Sequence, residues 1–235
     1  MNLRRKLFSL IAVLGLALLA MPAFADMVEE GDAMAEDTGP LKQATLVKKA
    51  DNFVYMFDLS GSLGHEYQNS GQSKLTVAKD VLKNVNLNVP DLGYNAALLA
   101  FAPEYEYLVP WGEFDRAVMY DAIDAMPVDT RFLSPTPLGN GLKQLAKDMD
   151  ALEGKTVVYL FTDGRSTDSV NAVKMAERIV KRHDACLMVI SVADTKRAAA
   201  TLKEIAKANE CSKVVPFDAV VRSPEICTGQ LCEIQ

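Results

Sequence analysis

The apolar positions fall into short unbroken runs separated by stretches with helical spacing. Residues 53–57, Phe-Val-Tyr-Met-Phe, contain no polar position. That is the pattern of a parallel strand covered on both faces, not of a strand with one wet face. In 74–85, Leu75, Ala78, Val81, Leu82 and Val85 recur every three or four residues, which predicts a helix after a loop rich in Gly and Ser. Two strand-like runs, 94–101 and 104–108, are too close for a helical crossover, so they predict a hairpin and an antiparallel third strand. Helical patterns follow over 114–126 and 138–152, a fourth strand over 156–162, a helix over 169–183, and a fifth strand over 186–192. A last long helix is expected over 196–208 and a sixth, edge strand over 214–217, where Pro216 is tolerated.

Strands alternating with helices predict a doubly wound α/β sheet of six mostly parallel strands, with helices on both faces. Right-handed crossovers leave the order 3-2-1-4-5-6, with strand 3 antiparallel. In such a sheet ligands bind outside the carboxyl ends of the strands where the order reverses, here between strands 1 and 4.

The first residues are read apart from this pattern. Arg4, Arg5 and Lys6 precede an apolar stretch, and Ala23-Phe24-Ala25 follows Pro22, so 1–25 reads as a secretory signal peptide and the mature chain begins at Asp26. Residues 26–45 read as an acidic, flexible leader, with six acids and no base between Asp26 and Asp37. The domain proper is expected over 46–220 and a tail over 221–235. The formal charge of −6 over 235 residues, or −9 once the signal peptide is removed, offers no basic field for a nucleic-acid backbone or an anionic bilayer. Export would place the four cysteines in an oxidising compartment, where disulfides are the first reading. Cys186 opens strand 5 and Cys211 precedes strand 6, so the two meet at one edge of the sheet. Cys227 and Cys232 are then left to close a small loop in the tail, since C-x4-C is neither a redox motif nor half of a zinc site.

The two strand ends at the switch point carry oxygen chemistry. Strand 1 runs into Asp58-Leu59-Ser60-Gly61-Ser62 and strand 4 into Thr162-Asp163-Gly164, while Ser134-Pro135-Thr136-Pro137 precedes the helix at 138. Two carboxylates and three hydroxyls without His or Cys suit a hard divalent cation, Mg²⁺ first, then Mn²⁺ or Ca²⁺. Asp58, Ser60, Ser62, Thr136 and Asp163 resemble the metal-ion-dependent adhesion site of von Willebrand factor A domains, over about residues 51–216. The resemblance implies that the two serines and the threonine coordinate the ion, with the aspartates acting directly or through water. It also implies that one coordination position stays open for an acidic group on a partner protein. Ser134 remains the competitor of Thr136 for the third hydroxyl. The exported context also resembles bacterial envelope proteins that join such a domain to an OmpA-like one, although too few residues follow Phe217 for a second domain.

Arg131, Phe132 and Arg165 are candidate rim residues beside the ion. His65 and Glu66 read first as surface-loop residues, with His65 kept as a rim candidate; His183 reads as a solvated helix cap and Trp111 as a cover for the sheet edge. The resulting expectation is an exported, periplasmic or secreted binding module and not an enzyme. A phosphohydrolase would also place an Asp at the end of strand 1, but its second Asp two residues on is here Ser60, and no Ser-His-Asp set appears. The remaining alternative is a metal-independent structural envelope protein.

Overall fold

The central apolar runs stack side by side as predicted. The computed structural model describes residues 45–128 and 134–235, so the signal-peptide and leader assignments, and Arg131 and Phe132, lie outside the described residues. The described residues belong to one compact unit. The chain order is β1 (Leu46–Lys48), β2 (Asn52–Asp58), α1 (Lys74–Asn88), β3 (Asn95–Ala102), β4 (Glu106–Glu113), α2 (Arg116–Ala125), α3 (Leu138–Asp148), β5 (Thr156–Thr162), α4 (Ala172–Arg182), β6 (Ala185–Ser191), α5 (Lys196–Ile205), β7 (Lys213–Pro216), α6 (Phe217–Arg222), α7 (Glu225–Thr228) and β8 (Cys232–Ile234).

The main sheet has the order β4-β3-β2-β5-β6-β7, and only β4 is antiparallel to its neighbour. This is the predicted 3-2-1-4-5-6 arrangement. β2 shows why its run has no polar position: Phe53, Tyr55 and Phe57 join one buried cluster with α1 and α2, and Val54 and Met56 join another with α3, α4 and α5. Each face of the sheet is therefore dry, and the side-chain period of two sends alternate residues to different helix layers. The starts of α1, α2, α4 and α5 are fixed locally by side-chain capping. Ser73 accepts from Thr76 N–H, Asp115 from Ala117 and Val118 N–H, Asn171 from Lys174 N–H, and Thr195 from Ala198 N–H.

Two features depart from the sequence reading. The tail is part of the same unit: α6 and α7 pack on the α1 face, and β8 pairs antiparallel with β1. Cys186 and Cys211 form the expected disulfide, with 5.4 Å between their Cα atoms. Cys227 and Cys232, expected as a second disulfide, are free thiols. Each follows its own element rather than a shared loop. Cys227 turns from α7 into the core, where burial pushes its thiol up to about 12 and its carbonyl accepts from Tyr159 Oη at 2.5 Å. Cys232 sits in β8 opposite Lys48 of β1.

Candidate metal centre

β2 and β5 lie side by side in parallel register, so Asp58 and Thr162 emerge together at the carboxyl edge. Thr162 Oγ1 donates to Asp58 Oδ2 at 2.7 Å and accepts from Gly164 N–H at 3.1 Å. Gly164 has φ +78°, a left-handed conformation that turns the chain sharply after Asp163 and is costly for a residue with a Cβ. Asp163 is fully buried; its Oδ1 accepts from Arg165 N–H at 3.1 Å, and its Oδ2 has no hydrogen-bond partner.

On the β2 side, Asp58 Oδ1 accepts from Ser60 N–H at 2.9 Å. Ser60 occupies the cap position of a short 3-10 turn, Gly61–Gly64, yet its side chain makes no capping bond. Instead, its buried hydroxyl lies 3.1 Å from that of Ser62. A Ser serving only as a turn cap would accept from the turn's N–H groups, so this hydroxyl pair has another task. Asp58 is fully buried, and burial pushes its carboxyl up to about 6. Hydrogen bonds from Ser60 and Thr162 oppose that rise, and the neighbouring charge of Asp163 adds to it.

The third segment is laced to both others. Ser134 carbonyl accepts from Gly61 N–H at 3.3 Å, Thr136 N–H donates to Thr167 Oγ1 at 2.9 Å, and Thr167 N–H donates back to Thr136 carbonyl at 3.0 Å. The loop can enter α3 this closely because residue 139 is Gly: a Cβ there would stand 2.1 Å from the Val170 carbonyl oxygen. Thr136 is buried, whereas Ser134 is half-exposed and faces a neighbouring cavity. Among the described residues no three His, Cys, Asp or Glu converge to hold an ion, so any cation here needs the hydroxyls as donors, and the set is all oxygen. That chemistry fits a hard divalent ion and not zinc held by nitrogen or sulfur.

The sequence reading named Arg165 only as a rim residue and missed Lys74 and Asp194. Lys74 is the first residue of α1 and only 2% exposed; its Nζ donates to Asp194 Oδ2 at 2.6 Å and lies 3.6 Å from Asp163 Oδ2. Arg165 Nε lies 3.4 Å from Asp163 Oδ2, and Arg165 Nη2 donates to both oxygens of Asp194 at 3.0 and 3.1 Å. Burial pushes Asp194 up, but the hydrogen bonds from Lys74 and Arg165 outweigh it and hold its carboxyl low. The signal for Lys74 was available. A cation in the first turn of a helix opposes the macrodipole, so it calls for a tertiary partner.

Of the rim candidates, Arg165 is at the centre, engaged with two carboxylates. His65 is exposed just past the 3-10 turn, and Glu66 closes its own loop by accepting from Gly71 N–H at 2.8 Å. His183 caps α4 but is not solvated: its Nε2 lies 3.1 Å from the Ala146 carbonyl, wedged against α3 at 13% side-chain exposure. Trp111 sits on the edge strand β4 and donates to Tyr107 Oη at 3.0 Å.

The sequence profile of the von Willebrand factor type A domain matches residues 52–220. Among solved structures, the conserved hypothetical protein BatB from Bacteroides thetaiotaomicron is similar with a TM-score of 0.60 at 15% identity, over 76% of this chain and 96% of that one. The manganese-loaded TRAP protein of Plasmodium vivax gives a TM-score of 0.57 at 15% identity, over 82% of this chain and 78% of that one. Proximal thread matrix protein 1 from the mussel byssus, with a zinc-occupied MIDAS motif, gives 0.59 at 20% identity over 81% of this chain. The chain spans about half of that protein, 49%. At these identities the likeness is one of fold. A search of curated protein sequences found no match.

Proposed function

The chain belongs to the von Willebrand factor type A domain family, and from that premise we propose that it is an exported, metal-dependent protein-binding module of the cell envelope. Asp58, Ser60, Ser62, Thr136 and Asp163 would hold one divalent cation, Mg²⁺ by preference. The ion would supply a Lewis-acidic position that accepts a carboxylate oxygen from a partner. The observation that carries this reading is the buried Ser60 hydroxyl, which leaves its capping bond unmade and turns to Ser62 beside the buried Asp58 carboxylate. Two relatives in fold support a divalent ion, one loaded with manganese and one with zinc in its MIDAS motif.

This chain's own residues do three things at the site. Asp58 anchors the loop by accepting from Ser60 N–H and Thr162 Oγ1, which holds the two serine hydroxyls in place before any ligand arrives. Thr167 pins the backbone of Thr136. Lys74 and Arg165 steady Asp163, so two buried carboxylates can stand at one edge. Export is supported by the signal-peptide pattern of residues 1–25 and by the Cys186–Cys211 disulfide, a bond that persists in oxidising compartments. Among the described residues no helix is long and apolar enough to cross a membrane.

The test pairs calorimetry with capture. Wild type should bind Mg²⁺, Mn²⁺ or Ca²⁺ at millimolar concentration and retain an envelope protein in Mg²⁺ but not in EDTA. Thr136→Ala and Asp58→Ala should lose both, and Ser134→Ala neither. Capture that survives EDTA and all three substitutions would replace this reading with a metal-independent structural role.

A further inference from the structure

A cavity of about 580 Å³ opens directly beside the centre. It starts at Leu59, the residue between Asp58 and Ser60, and its walls include Leu75 from α1, Leu108 from β4 and Met126 at the end of α2. Two carboxylates, Glu104 and Glu106, stand at its lining in the β3–β4 turn and the first residue of β4. Both are exposed, and among the described residues neither has an ion-pair or hydrogen-bond partner.

These features define the chemistry of an occupant. Apolar walls with a rim of two unpaired carboxylates suit a side chain with an aliphatic stem and a cationic head, which buries the stem and keeps the charge at the rim. The same rim repels an acidic group, so the partner's carboxylate is directed away from the cavity and toward the ion. The chain's own leader has the wrong charge for this place, with six acids and no base from Asp26 to Asp37. We propose that the cavity is a second recognition subsite, which takes an arginine or lysine of the same partner segment whose acidic residue meets the metal centre. The inference rests on the metal-dependent reading above and specifies its partner: a polypeptide carrying an acid and a base within a few residues of each other.

The experiment is fluorescence anisotropy with labelled nonapeptides in a Gly/Ser background. Each has a central Asp and one further position changed in turn to Arg, Leu or Glu, and each is titrated in Mg²⁺ and in EDTA. Wild type should bind in Mg²⁺ only, with Arg at one or two positions improving affinity about tenfold over Leu or Glu there. The Glu104→Gln/Glu106→Gln double variant should lose that preference while keeping Mg²⁺-dependent binding of the Asp–Leu peptides. It should also melt like wild type, since both side chains are exposed and unpartnered. Mg²⁺-dependent binding with no Arg preference, with a Leu preference, or with an Arg preference unchanged in the double variant would overturn the subsite and leave the metal reading standing. An Arg preference equal in EDTA and abolished by the double variant would uphold the subsite and sink the metal reading. A preference that appears only in Arg131→Ala would assign the carboxylates to the chain's own arginine, and binding of no peptide at about 1 mM would overturn both.

Discussion

Replacing Asp58 by Asn should stabilise the metal-free protein. The carboxylate is fully buried, and burial raises it from an ordinary 3.8 to about 6. For an acid whose folded value is raised, the stability present below about pH 4 is lost as pH rises through about 6. The difference is worth about 3 kcal/mol once Asp58 is fully ionised. The amide removes that loss. It keeps an acceptor for the Ser60 N–H, and the Thr162 hydroxyl can turn to accept from the amide instead of donating. For a domain of this size about 3 kcal/mol corresponds to roughly 6–12 °C. Thermal melting in EDTA should therefore place Asp58→Asn that far above wild type at pH 7.5, with the gap about halved at pH 5. Millimolar Mg²⁺ should raise the wild-type midpoint by preferential binding to the folded state and leave the variant unmoved. A variant that melts below wild type in EDTA at pH 7.5, or a gap that does not change with pH, would refute the reasoning.

Lys74→Met strips the buried cation from Asp163 and should cost about 3 kcal/mol in EDTA, with a larger rescue by Mg²⁺ than wild type shows; equal melting curves in EDTA would mean that Lys74 is no counter-ion. Gly139→Ala drives a Cβ to 2.1 Å from the Val170 carbonyl oxygen, so the loop carrying Thr136 must shift. A loss of about 1–3 kcal/mol with weaker Mg²⁺ binding is expected, and an unchanged calorimetric titration would contradict it. Cys186→Ser/Cys211→Ser opens a loop of sequence separation 25 and should cost about 3 kcal/mol in the chain-entropy account. The bond lies at the amino edge of the sheet, so the melt should fall while the Mg²⁺ isotherm stays put, and a changed isotherm would show that the two edges are coupled.

The sheet was legible because its signals are redundant. β2 and β5 each bury every side chain, and a run with no polar position admits few readings when it is bounded by polar loops. Thr156–Thr162 matches the predicted strand residue for residue. The tail was illegible for the opposite reason. β1 and β8 are three residues each and pair across nearly the whole chain, so no local pattern announces either. α6 follows β7 without a loop, at Phe217, and was hidden behind the strand reading of 214–217. At the candidate site, residue types in order along known elements were enough to bring Asp58, Ser60, Ser62 and Asp163 to neighbouring strand ends. The pairing of buried Lys74 with exposed Asp194 depends on the approach of α1 to the loop after β6, a tertiary fact that spacing does not encode.

These charged groups bear on the proposed binding. Two carboxylates, Asp163 and Asp194, face two cations, Lys74 and Arg165, and the neighbouring Asp58 adds a third carboxylate beside Asp163. With Asp58 ionised the cluster carries −1, and with Asp58 protonated it carries none. On the proposed reading, a cluster of −1 would attract a divalent ion but leave it a net positive charge, and neutral serine and threonine donors would not cancel the remainder. Such an ion would gain by taking a carboxylate from outside, so partner and metal should bind with positive coupling. Lys74 and Arg165 also hold the buried Asp163 in ion pairs, so the proposed site would be preorganised and binding would cost little ordering entropy. The same two cations that hold the carboxylates in place would limit how tightly an ion alone is held, which is the condition under which an incoming acidic side chain would matter most.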